Sequence, residues 1–111
     1  MIDQKVIEAF NLMWGAFPEP VMLIHKNRDI LAANEAYIKI GGPVGVKCSS
    51  LGDKEMHKGC LANQALESKR PAFVKYEVNG KKAVAFWLPV VNYPDIYIHV
   101  SFGATIDYDR G

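Results

Sequence analysis

The chain has 111 residues, half of them hydrophobic, and a formal net charge of +1. That is the size of one domain, able to bury roughly two thirds of its unfolded surface without disulfide staples; its balance fits neither a disordered tail nor a nucleic-acid binder. Asp3, Lys5 and Glu8 interrupt the N-terminus where a secretory signal would be apolar, and the longest apolar run, Ala83 to Val91, is too short to cross a bilayer, so a soluble, cytoplasmic module is expected.

Ile2, Val6, Phe10 and Met13, flanked by Ile7 and Trp14, recur every three to four residues, and polar residues fall between them. The spacing predicts an amphipathic helix over residues 1–16, ending near Gly15 and set before a domain of residues 17–111. Its apolar stripe either covers the domain's own sheet or packs on a second copy, with Phe10 and Trp14 as interface anchors.

Pro18 and Pro20 open the apolar run Val21 to His25. Lys26 to Asp29 is a polar break, and Ile30 to Ala33 turns apolar again, which predicts two strands joined by a tight turn. Asn34 then stands as a helix N-cap before Glu35-Ala36-Tyr37-Ile38, with Gly41-Gly42 as the stop. Pro43 to Gly59 is polar and irregular, holding at most a turn of helix around Ser50 to Glu55. Cys60 to Ser68 carries a short helical pattern that stops at Pro71.

The last third predicts three strands. Ala72 to Val78 alternates with a period of two, Asn79-Gly80 is a hairpin signal, and Lys82 to Val91 is apolar on both faces, as expected of a strand covered on both sides. Tyr93-Pro94-Asp95 predicts the final turn, and Ile96 to Asp107 alternates again with one apolar face.

This order of elements resembles a PAS domain. The resemblance is sharpest from Pro20 through the two strands to Asn34-Glu35-Ala36 and Gly41, and it extends over essentially the whole chain. Asp107-Tyr108-Asp109-Arg110 loosely resembles the Asp-x-Thr-x-Arg end of the family's last strand, with the threonine missing. The resemblance implies an α+β fold: a five-stranded antiparallel sheet, short helices on one face, an N-terminal amphipathic helix and a small interior cavity. It also implies a non-catalytic sensory or regulatory module that binds a small ligand or cofactor in that cavity. Such a module signals as a homodimer or through an effector such as a histidine kinase, cyclase or transcription factor. A homodimerisation module with a filled core is the alternative.

For the cavity, Leu61 and Gln64 from the helix and Tyr76, Phe86, Leu88 and Phe102 from the sheet are candidate walls, set against simple core filling. Cys48, His57 and Cys60 read C-x8-H-x2-C, three residue types that ligate zinc or iron–sulfur clusters where a closed site needs four; free thiols in a packed loop are the other reading. His57 also stands near the position of the axial ligand in haem-binding PAS sensors, which makes haem a candidate cofactor and a gas or redox sensor the third functional reading. His25 and His99 are expected to be hydrogen-bonded without further role. Cys60 as a nucleophile would have His57 for a base, but no orienting group or oxyanion motif is recognisable. Lys-Gly-Cys-Leu is likewise not the Asn-Cys-Arg-Phe stretch of flavin photosensors.

Overall fold

A computed structural model describes residues 3–47, 60–78, 80–103 and 106. Its elements, in chain order, are α1 (Gln4–Trp14), β1 (Val21–His25), β2 (Ile30–Ala33), α2 (Glu35–Lys39), α3 (Ala62–Ser68), β3 (Ala72–Val78), β4 (Lys81–Val90) and β5 (Tyr93–Phe102). The strands form one antiparallel sheet in the order β2-β1-β5-β4-β3, so the last strand lies at the centre and joins the two hairpins. This is the expected α+β architecture, five strands with short helices on one face and an amphipathic helix at the N-terminus.

Local chemistry sets the boundaries. Asp3 caps α1 by accepting from the Lys5 N–H at 2.9 Å. Asn34 caps α2, and that helix stops where Gly41 takes φ of +83°, its N–H and that of Gly42 returning to the carbonyls of Ile38 and Tyr37. The β4–β5 turn differs from expectation: it falls at Val91-Asn92, with Asn92 at φ of +69°, and Tyr93-Pro94-Asp95 already belongs to β5. Asparagine tolerates the left-handed region that this turn requires, whereas proline cannot reach it.

Because side chains alternate across the sheet, the two faces carry separate cores. On one face α2 packs on β1 and α3 across β3, β4 and β5. Ile24, Ile30, Tyr37, Ala62, Ala65, Ala72, Ala85, Trp87 and Tyr97 are buried there. On the other face α1 packs over β1 and β2, burying Phe10, Val21, Leu23, Ala32, Ile96 and Val100. Trp14, Phe17, Phe102, Phe86 and Phe73 continue this second face as a chain of aromatic contacts, with successive ring centroids 5.3 to 5.8 Å apart.

Candidate functional site

The face under α3 is the candidate binding face. Register places Trp87 directly opposite His99, Ala85 opposite Ser101, Tyr76 opposite Ala83 and Met22 opposite His99 from the other side, so all these side chains share it. Ala62 and Ala65, three residues apart on α3, are fully buried and bring that helix close to the sheet. Trp87 and Tyr97 are sealed at 6% and 1% exposure, but Met22, Tyr76, His99 and Ser101 keep part of their surface accessible.

His99 is its most chemically capable group. Its ring stacks on Trp87 with centroids 4.9 Å apart and planes 26° from parallel, and its Nδ1 lies 3.0 Å from the Phe86 carbonyl oxygen. Burial pushes the imidazole below its ordinary pKa, outweighing the opposite influence of that hydrogen bond. A histidine with a depressed folded-state pKa favours the fold while neutral, so its contribution is complete above about pH 6.5 and is lost as acid protonates the unfolded chain first. The melting temperature is accordingly expected to fall from pH 7.5 to 5, at most by the slope of one proton, about 1.4 kcal/mol per pH unit. His99→Gln should flatten that fall; an unchanged pH profile in the variant would show that the fall belongs to other groups.

The structure divides the residues expected to wall a cavity. Leu61 and Tyr76 stand on the α3 face, partly buried against its core. Phe86, Leu88 and Phe102 stand on the opposite face, packed with the α1 core, because they alternate with Ala85, Trp87 and Ser101. Gln64 is exposed, on the side of α3 away from Ala62 and Ala65. Phe10 is 3% exposed and turned onto its own sheet, and Trp14 is half-buried there with Phe17. Cys60 packs partly buried beside Leu61, while Cys48 and His57 lie outside the described residues. Among the described residues no cluster of three metal-ligating side chains occurs, and no helix is long and apolar enough to cross a membrane.

Sequence reasoning passed over Trp87, Met22 and Ser101, and gave His99 no role. It also passed over a buried polar junction below the sheet. Asn34 accepts from the N–H groups of Val21 (2.9 Å) and Tyr37 (3.1 Å) and donates to the carbonyls of Phe17 (3.0 Å) and Glu19 (2.7 Å). The fully buried Glu19 carboxylate accepts the Gly103 N–H with both oxygens, at 2.9 and 3.0 Å, tying the entry of β1 to the exit of β5. The signal for Glu19 was its place in Pro18-Glu19-Pro20, where two prolines hold a charged residue rigidly against a strand.

Open grooves lie toward the ends of the sheet. One of about 360 Å³ runs beside the β4–β5 turn, between Leu66, Lys69 and Tyr93. Another of about 580 Å³ lies at the β3–β4 end of the sheet, lined by Lys75, Val84 and Phe102 from the face of α1 and by Tyr76 and Ala83 from the α3 face. Neither touches His99.

A scan against protein-family models and a search of curated proteins each returned no match. Solved structures do match. The PAS domain of BvgS from Bordetella pertussis superposes with a TM-score of 0.69 at 17% identity, covering 96% of this chain and 91% of that one. A sensory box sensor histidine kinase from Vibrio cholerae gives 0.66 at 9% identity, covering 90% of each chain. A domain of an HTR-like protein from Haloarcula marismortui gives 0.63 at 23% identity, covering 79% of this chain and 99% of that one. Sheet order, the placement of the helices and these superpositions agree that the chain has the PAS fold.

Proposed function

We propose that this chain is a non-catalytic sensory module that takes a small ligand between its sheet and α3 and passes the occupied state on through its outer face. The observation that carries this reading is the partial exposure of Met22, Tyr76, His99 and Ser101 on the α3 face beside the sealed Trp87 and Tyr97. The similarity to a sensor histidine kinase domain supports a signalling role, with a histidine kinase, cyclase or transcription factor as the kind of effector to which such a module is joined.

The output follows from the connections. β5 lies at the centre of the sheet, presents His99 to the α3 face and Phe102 to the outer face, and is fastened at its end to Glu19 just before β1. A ligand that prefers one setting of β5 would bias what the outer face presents, to the extent of its differential affinity for the two settings.

A small molecule present at one hundred times its dissociation constant stabilises a fold by about 2.7 kcal/mol, which for a domain near this size raises the melting temperature by roughly 10 °C. Native mass spectrometry of protein purified without added cofactor, followed by a thermal-shift screen, is expected to give a bound mass or such a rise. A colourless, ligand-free protein that no compound stabilises would instead favour the module with a filled core, and a Soret band would favour haem.

Homodimerisation is the second part of the reading, and a specific observation favours it: Leu12 and Met13 of α1 are 87% and 74% exposed. In light scattering, Leu12→Asp combined with Met13→Asp is expected to give the mass of a monomer where the parent gives a dimer. An unchanged mass would remove α1 from the interface. These positions test the interface more cleanly than Trp14, whose replacement would also disturb the chain's own core.

A further inference from the structure

His99 is held on two sides and open on a third. Trp87 supports its ring, and the Phe86 carbonyl, which can only accept, requires the hydrogen on Nδ1. Nε2 of the neutral ring then carries a bare lone pair, and it has no hydrogen-bond partner among the described residues. Next to it the floor drops: Ala85 and Ser101 face each other across β4 and β5, and Ala83 follows along β4. The result is a step, with Trp87 and His99 as the riser, small side chains as the tread and Tyr76 at the far side. Around His99 the strand residues Met22, Ala85, Trp87, Tyr97 and Ser101 are uncharged; the Arg28 guanidinium lies 5.8 Å from the Tyr97 ring centroid and is hydrogen-bonded to Asn63 of α3 and to the Lys26 carbonyl.

We propose that Nε2 of His99 is the polar recognition point of the interior site, accepting a hydrogen bond from the N–H or O–H of a small, flat, uncharged ligand that lies against Trp87 above Ala83, Ala85 and Ser101. The inference rests on the ligand-binding reading above and narrows it. A flat molecule fits a low floor beside an aromatic wall, and offset or edge contacts with Trp87 reward an unsaturated ring. A net charge has no counter-charge among these strand residues, and Arg28 over Tyr97 is already engaged by Asn63 and the Lys26 carbonyl, so a charged ligand at His99 would lose its hydration with little return. An edge donor answers the Nε2 lone pair, and a ligand that covers the ring without supplying a donor leaves that acceptor desolvated and unpaired.

The test uses the full chain with indole, which has an N–H, and 1-methylindole, which lacks it, followed by nuclear magnetic resonance of the Met22 methyl and the His99 ring nitrogens. Indole is expected to shift both signals and to bind roughly tenfold more tightly than 1-methylindole. His99→Phe should bind the two probes alike. His99→Gln, which keeps an acceptor and removes the ring, should retain part of the preference and guards against a misfolded phenylalanine variant. If both probes move the Met22 signal with equal affinity in the parent protein, the interior site stands and the role of His99 falls. If neither probe moves it, the interior site falls as well.

Discussion

Replacing Asn34 with alanine is expected to remove about 3–4 kcal/mol of folding stability. The side chain uses all its hydrogen-bonding capacity, two accepted bonds from Val21 and Tyr37 and two donated to Phe17 and Glu19, in a place with 1% exposure. Loss of the cap alone costs about 1 kcal/mol, and each buried backbone group left without a partner adds about 1–3 kcal/mol, reduced where the chain relaxes or water enters. Since a whole domain is stable by only about 5–15 kcal/mol, this one substitution would consume a large part. Urea unfolding followed by circular dichroism checks it. Asn34→Asp, which keeps both acceptors and loses both donors, is expected to fall between alanine and the parent. An alanine variant within about 1 kcal/mol of the parent would mean that water replaces the side chain, and that the junction is not what holds β1 against α2.

Trp87→Ala is expected to lower stability by about 3–5 kcal/mol, the range for removing a large buried aromatic side chain and leaving its cavity. The same substitution takes away the surface on which His99 stacks, so the imidazole should lose its fixed orientation and move toward its ordinary pKa as water reaches it. Calorimetry measures the first effect, and a histidine titration by nuclear magnetic resonance the second. Trp87→Phe should recover most of the stability and part of the stacking. If the alanine variant is destabilised and the His99 titration does not move, Trp87 only fills space and the ring is held by the Phe86 carbonyl alone.

Asn34 was recognisable as a cap because asparagine before an amphipathic turn is a local signal, but its reach to Phe17 and Glu19 was not, since those groups approach only when β1 and β2 pair. The residues expected to wall one cavity fall on two faces for a traceable reason. Lys82 to Val91 is apolar at nearly every position, so periodicity cannot say which half faces α3. The hairpin signal in the sequence between β3 and β4 nevertheless carried the answer: pairing Val78 with Lys81 sets Tyr76 opposite Ala83, and the face of Tyr76 then belongs to Ala83, Ala85 and Trp87, not to Phe86 and Leu88. For β5 no such rule was available. The ladder pairs Val90 with Tyr93 but Pro89 with Tyr97, and this irregularity shifts the parity of the strand, so the turn does not reveal on which side His99 emerges.

The sequence by itself determined the kind and order of the elements among the described residues, because capping residues, proline and glycine, and the periods of two and 3.6 act over a few neighbours. Those local signals also sufficed for the PAS architecture. Which face of each apolar strand looks toward α3, and hence that Trp87 and His99 meet there while Phe86 and Phe102 meet behind, was decided only by the tertiary structure. A one-residue change of register leaves every local preference satisfied and exchanges the two faces of the sheet, so pairing across distant strands is what resolves it.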